Sequence, residues 1–150
     1  MVDMNHKETV MKHLKFIFAV AAVALCINWH AQAAGVKVIA NSSISAGSIS
    51  SGEIKDVFLL DKDSLAGSHI EPVLARGGAA HEAFLKAYLG KSDSALQAFY
   101  RSLVFTGKAS MPKILASDAE VVAYVAKTKG AIGYVSDAAS TEGAKTLQVK

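Results

Sequence analysis

The sequence predicts an α/β fold in which short strands alternate with amphipathic helices in one domain. Short β-branched runs recur between segments whose apolar residues have helical spacing, and Ser-x-x-Glu capping boxes precede two of these segments. We find no internal repeat and no linker long enough to divide the chain. Its 150 residues are 51% hydrophobic and 19% charged, with one Cys and two Pro, which excludes collagen-like, disulfide-rich and disordered proteins.

The N-terminal segment has the pattern of a secretory signal peptide. An unbroken apolar run over residues 16–27 follows two lysines and precedes a small-residue sequence that ends at Ala33. The run is shorter than the ~20 residues that a membrane-spanning helix needs. We therefore predict a signal peptide over residues 1–33, with Met11 as an alternative start, and an exported domain over residues 34–150.

The first half of the exported domain predicts a strand, a helix and a second strand. The β-branched run Val36–Ala40 predicts a strand that ends at a serine-rich loop. Ser50 opens a capping box before apolar residues at helical spacing, which predicts a helix over residues 51–60. Residues 70–75 predict the second strand, and Pro72 places it at a sheet edge or at a strand end because proline cannot donate to a ladder.

The second half predicts three helices and two more strands. Residues 81–89 have an apolar helical stripe that ends at a glycine. Ser92 is placed to cap the next helix, and Ser117 opens a second capping box before another. The runs 131–135 and 147–149 predict the last strands.

The turn after the second strand is the candidate site for chemistry. Gly77 and Gly78 allow the backbone to approach a ligand closely, and the following helix directs unpaired N–H groups at whatever precedes it. Arg76 adds a fixed positive charge, so together these residues can form an oxyanion site. The glycine pair can equally serve only to turn the chain, with Arg76 as a solvated surface residue, and the pattern alone leaves both alternatives open.

Three segments of the sequence resemble the phosphate substrate-binding proteins of bacterial ABC transporters. They are residues 53–59 (EIKDVFL), 76–85 (RGGAAHEAFL) and, most specifically, 130–135 (GAIGYV). The resemblance extends from Val36 to the end and is closest to the short, single-lobe members of this group. It implies a type II periplasmic-binding-protein-like lobe with a small mixed sheet flanked by helices. It also implies a periplasmic location and binding of phosphate or a similar oxyanion, without enzymatic activity.

The resemblance also implies which residues hold the anion. The phosphate loop of this family has an Arg followed by Ser-Gly-Thr at the start of a helix, where hydroxyls and backbone amides donate to the anion. Arg76 matches the Arg, whereas glycine and alanine replace Ser-Gly-Thr, so two hydroxyl donors are missing. Backbone amides, a histidine at the helix start and serines after the first strand are the replacement candidates. The implied oxyanion-binding residues are Arg76, Gly77, Gly78, Ala79, Ala80, His81, Ser42 and Ser43.

Length is a second departure from the family. Residues 34–150 supply about one lobe, whereas full-sized members close two lobes around phosphate. We therefore expect a second surface from a homodimer, from an ABC transporter membrane component or from another periplasmic protein. The alternative function is a periplasmic interaction or regulatory module on the same fold that has lost ligand binding. Such a module would contact a protein through the anion cleft or through the strand edge near Pro72.

The remaining motifs indicate no catalytic residue, metal or cofactor. His81-Glu82 lacks the second His of H-E-x-x-H, so we predict a solvent-exposed pair at a helix start. Thr106-Gly107-Lys108 lacks the other residues of a P-loop. Phe99, Tyr100 and Phe105 are predicted to be core residues or a protein-facing patch. The net charge of +3 is spread along the chain, which excludes a nucleic-acid footprint.

Overall fold

The computed structural model of the protein describes residues 35–150, which belong to one compact unit. The predicted signal peptide over residues 1–33 and its cleavage site lie outside the described residues. None of the helices within residues 35–150 has the length and apolar character that a membrane span requires.

Residues 35–150 form eight strands in a mixed six-stranded sheet and a small hairpin. The strands are β1 (Val36–Ala40), β2 (Ser48–Ile49), β3 (Ser64–Leu65), β4 (Ser68–His69), β5 (Glu71–Ala75), β6 (Lys113–Leu115), β7 (Ala131–Ser136) and β8 (Lys145–Val149). The main sheet has the order β2-β8-β1-β7-β5-β6, and β3 pairs with β4. Strands β6 and β7 both run parallel to β5, whereas β1 is antiparallel to β7. The carboxyl ends of β5, β6 and β7 therefore meet at one edge of the sheet, and β1 ends at the opposite edge.

Four α-helices lie within the described residues, and three of them begin at a serine cap. The helices are α1 (Ser51–Phe58), α2 (Ala79–Phe84), α3 (Asp93–Phe105) and α4 (Asp118–Lys127), and α2 continues as a π-helical turn over Leu85–Leu89. Ser50, Ser92 and Ser117 each accept the N–H of the third residue of α1, α3 and α4 through their hydroxyl. These local bonds satisfy donors that a helix leaves unpaired, so the caps locate the helix starts in the sequence.

The helices cover both faces of the sheet. A Cβ at Gly133 would lie 2.9 Å from Val121 Cγ1, so this face of β7 packs directly on α4. Tyr134 points the other way, and its ring contacts Phe58 of α1 and Phe84 of α2. The predicted α/β class, with a small mixed sheet flanked by helices, is therefore confirmed.

The environment of Pro72 differs from one of the predicted alternatives. Strand β5 lies between β7 and β6 rather than at an edge, and Pro72 is buried. Pro72 pairs with Ile132, whereas pairing with β6 begins only at Val73. Proline therefore occupies a strand end, where no ladder donor is lost, and the exposed sheet edge belongs to β6. The two-residue strands β2, β3 and β4 were not predicted because they are too short to show alternation.

The capping box of α1 predicts acid-sensitive stability. Glu53 accepts from the Ser50 N–H and from Lys62 Nζ, both at 3.1 Å. The Ser50 backbone bond, followed by the Lys62 bond, lowers the pKa of Glu53 below its ordinary value of 4.5. Folding lowers the pKa of this carboxyl, so its ionised form stabilises the folded protein fully at pH values above the pKa of the unfolded chain. This stabilisation is lost as the pH falls through the pKa of the folded protein.

We therefore expect Glu53→Ala to lower the free energy of unfolding by up to about 1 kcal/mol at pH 7, because the half-exposed carboxylate is partly screened by solvent. The difference from wild type should shrink as urea unfolding is repeated at progressively lower pH, below 4.5. A difference that does not change with pH would show that the carboxylate charge is not the stabilising element.

Candidate functional site

The carboxyl edge of β5, β6 and β7 brings two helix starts together. The chain leaves β5 at Arg76, whose N–H donates to Leu115 O of β6 at 2.8 Å, and then turns into α2. At the same edge α4 begins at Ser117, and Asp118 Oδ2 accepts both the N–H and the hydroxyl of Ser136 at 3.1 and 2.7 Å. The Ser117 hydroxyl also caps the first turn of α4, whereas no side chain caps the first turn of α2.

The segment Arg76–His81, here called the glycine loop, depends on two left-handed glycines. Gly77 and Gly78 have φ values of 66° and 86°, and a Cβ at either position would meet no atom within 4 Å. The glycines are thus required by the backbone conformation and not by a lack of space. Both residues are exposed.

The first turn of α2 has no side-chain cap. Gly78 occupies the cap position, its carbonyl accepts the N–H of Glu82 at 3.0 Å, and no side chain bonds to the amides that follow. The N–H groups of Ala79, Ala80 and His81 therefore lack an intrahelical acceptor. They carry the partial positive charge of a helix start, which favours an anion.

Arg76 adds a full positive charge to the glycine loop. Its side chain is exposed, and within residues 35–150 no carboxylate lies within the 4.0 Å that defines an ion pair with its guanidinium. Guanidinium presents donors in a planar fork that matches the oxygens of phosphate and carboxylate. The loop thus combines backbone amides that no described side chain caps with an exposed arginine at its first residue.

His81 is buried, so the prediction of a solvent-exposed His81-Glu82 pair is wrong for the histidine. The side chain is 1% exposed, with Nδ1 at 2.5 Å from Tyr134 Oη and Nε2 at 3.0 Å from Asp93 Oδ1. Glu82 is exposed as expected. Both ring nitrogens of His81 therefore make internal contacts, and the ring is not available to an anion. His81 lies three residues before the buried Phe84, and this helical spacing is the signal in the sequence that places both side chains on one buried face of α2.

Ser42 and Ser43 lie at the other edge of the sheet. They follow the carboxyl end of β1, which is antiparallel to β7. The Ser43 hydroxyl accepts the N–H of Gly130 at 3.1 Å, at the start of β7. The structure therefore does not bring these two serines to the glycine loop, because the direction of β1 carries them away from it.

A concave groove also lies at this other edge, around the amino ends of β5 and β6. It encloses about 500 Å³ and is lined in part by His69, Pro72, Met111 and Tyr124. Tyr124 Oη donates to Glu71 Oε1 at 2.6 Å, and this bond raises the pKa of Tyr124 above its ordinary value. The groove is separate from the glycine loop and contributes no residue to it.

The predicted aromatic patch divides into core and surface. Tyr100 is fully buried and its hydroxyl donates to Phe58 O at 2.5 Å, and Phe99 packs partly against the core. Phe105, the last residue of α3, is 92% exposed, and Val104 and Met111 nearby in sequence are 46% and 41% exposed. This end of α3 is an apolar surface that no described residue covers.

Solved structures share the fold of this chain. No protein-family model and no curated protein matches the sequence. A Clostridium perfringens protein described as a phosphate ABC transporter substrate-binding protein, with bound phosphate, aligns with a TM-score of 0.59 at 16% identity, over 77% of this chain and 44% of that chain. An ABC-type phosphate transport receptor from Vibrio cholerae aligns with a TM-score of 0.59 at 12% identity, over 77% and 46%. PstS from Borrelia burgdorferi aligns with a TM-score of 0.51 at 13% identity, over 77% and 47%.

These alignments establish the fold. The chain spans less than half the length of each of the three proteins. The resemblance to phosphate ABC transporter substrate-binding proteins that the sequence indicated is thus confirmed in three dimensions, for one part of their length.

Proposed function

We propose that this chain is a non-enzymatic substrate-binding protein that holds phosphate or a similar tetrahedral oxyanion at the glycine loop. The observation that carries the proposal is the start of α2, where uncapped amides follow an exposed arginine that has no carboxylate partner among residues 35–150. The fold supports it, because the similar solved proteins are named for phosphate binding or transport.

The proposed binding residues contribute either charge or backbone hydrogen bonds. Arg76 supplies the charge, and the N–H groups of residues 77–81 supply hydrogen bonds. A hydrogen bond to a charged group contributes about 1.5 to 3 kcal/mol, and a Kd of 1 mM corresponds to about 4 kcal/mol. Two or three such bonds at a solvent-exposed loop, where charge is screened, give an expected Kd between about 0.1 and 10 mM.

Location and partners belong to the same proposal. The predicted signal peptide supports a periplasmic location, and the names of the similar structures support delivery to an ABC transporter. Because the chain spans less than half of those structures, we propose that a second surface completes the site. A homodimer or the membrane component of a transporter would supply it.

Calorimetric titration of residues 34–150 tests the proposal. Phosphate and sulfate should each give a saturable heat, and glucose, a neutral control, should give none. The absence of any anion-dependent heat up to about 10 mM would contradict anion binding, since even a weak site is half filled in this range.

A second candidate function is a periplasmic interaction module that has lost its ligand. It is favoured by the exposed apolar side chains Val104 and Phe105 at the end of α3, with Met111 exposed in the segment that follows, because exposed apolar patches mark protein contacts. Because Pro72 does not lie at a sheet edge, the contact surface of such a module would be the edge strand β6 and the end of α3. A titration without anion-dependent heat would favour this candidate over the first.

A further inference from the structure

The Tyr134 hydroxyl contacts both ends of the glycine loop. Ala75, the residue before the loop, donates its N–H to Tyr134 Oη at 3.2 Å. His81, the last residue of the loop, places Nδ1 at 2.5 Å from the same oxygen. We infer that Tyr134 is a positioning residue, whose hydroxyl fixes the conformation of the glycine loop from a third element, β7. Its effect on anion binding rests on the proposed function, whereas its effect on the loop does not.

The hydrogen-bond partners assign the direction of this network. A tyrosine hydroxyl has one proton and two lone pairs. Because Tyr134 Oη accepts the Ala75 N–H, its own proton is free to bond His81 Nδ1, and Nε2–H then donates to Asp93 Oδ1 at 3.0 Å. Burial raises the pKa of Tyr134 above its ordinary value of 10.0, so the hydroxyl keeps this proton.

The opposite tautomer leaves two contacts unsatisfied. If Nδ1 carried the proton, the Tyr134 O–H would have no acceptor, and the Nε2 lone pair would face the Asp93 carboxylate. Buried polar groups are rarely left in this state, and no buried side-chain N or O atom among residues 35–150 lacks a partner. Of the two neutral tautomers, the structure therefore assigns the one with the His81 proton on Nε2.

The Tyr134 ring cannot move to follow a shifting loop. It is fully buried and stacks on Phe84 with ring centroids 3.7 Å apart and planes within 5°. Phe58 meets it edge-on, with centroids 5.7 Å apart. The glycine loop, in contrast, contains two adjacent left-handed glycines, which are the residues with the greatest backbone freedom. Loss of the hydroxyl would thus remove a restraint near both glycines and leave the loop held by the Arg76 N–H bond to Leu115 O and by the His81 contact with Asp93.

The pair Tyr134→Phe and Tyr100→Phe separates this role from general stability. Both tyrosines are fully buried and lose only an oxygen, but Tyr100 bonds Phe58 O and not the loop. We expect the 15N heteronuclear NOE of Gly77 and Gly78 to fall in Tyr134→Phe and to stay at the wild-type value in Tyr100→Phe. The phosphate Kd should rise about tenfold in Tyr134→Phe only. In wild type, the imidazole 15N shifts of His81 should show the Nε2–H tautomer.

Four outcomes overturn the inference: an Nδ1–H tautomer in wild type, an unchanged NOE in Tyr134→Phe, an equal loss of loop order in both variants, or equal phosphate binding by both variants when wild type binds phosphate. The tautomer is measured on wild type and does not depend on how well a variant folds. If wild type binds no phosphate while loop order falls only in Tyr134→Phe, the proposed function fails and the positioning role stands. If wild type binds phosphate and both variants bind it equally well, the positioning role fails and the proposed function stands.

Discussion

Replacing Arg76 by alanine is expected to weaken phosphate binding by about ten- to a hundredfold, with no change in the melting temperature. The side chain is exposed and makes no ion pair within residues 35–150, so its removal leaves the core intact. The guanidinium carries a full positive charge, so its N–H groups are the strongest hydrogen-bond donors that the glycine loop can offer to an anion. Calorimetric titration with phosphate measures the change in Kd, and thermal unfolding without ligand measures the stability.

Arg101→Ala is the matched control for this prediction. Arg101 is also exposed, also lacks an ion-pair partner in the described part of the chain, and lies on α3 about two helical turns beyond Asp93, the α3 residue that contacts His81. The two variants therefore lose the same charge, but only Arg76→Ala should lose affinity. Equal losses in both variants would mean that phosphate responds to the net charge of the protein and not to a site at Arg76.

Replacing Gly130 by alanine is expected to lower the free energy of unfolding by at least about 3 kcal/mol. Gly130 has a φ of 77°, and a Cβ there would lie 2.3 Å from the backbone oxygen of His69. Left-handed strain alone costs roughly 1 to 2 kcal/mol, and relieving the overlap must also move the backbone. Gly130 O accepts the N–H of Glu71 at 2.8 Å, so this movement would disturb the pairing of β5 with β7. Urea unfolding measures the loss.

Gly107→Ala separates strain from overlap. Gly107 has a similar φ of 70°, but a Cβ there would meet no atom within 4 Å. It should therefore cost only the strain, roughly 1 to 2 kcal/mol. If both variants lose the same stability, the close approach of Gly130 to His69 does not contribute, and the glycine in the GAIGYV segment needs another explanation.

Helix starts could be predicted from the sequence because their causes are local. Ser50, Ser92 and Ser117 each cap the helix that the sequence placed after them, with hydroxyls that bond the N–H three residues later. The glycine loop could also be located, since a glycine pair before a helix is a pattern of adjacent residues. The end of this helix at Leu89 could be predicted as well, but the π-helical form of its last turn could not, because no residue pattern marks it.

Features that depend on the arrangement of strands could not be predicted. The sequence predicts Ser42 and Ser43 as donors, but the antiparallel course of β1 places them at the opposite edge. The contacts of the His81 ring could not be predicted because its partners, Asp93 and Tyr134, are distant in sequence. Pairing partners and strand directions depend on tertiary contacts, about which a single sequence carries little information.

The most direct test of the central claim is a phosphate titration followed by amide chemical shifts in 1H-15N spectra of residues 34–150. We predict saturable shifts concentrated at Arg76–His81, with Ser42 and Ser43 unaffected, and with the same residues responding to sulfate. Shifts that cluster elsewhere, or no shifts up to about 10 mM phosphate, would contradict an oxyanion site at the glycine loop.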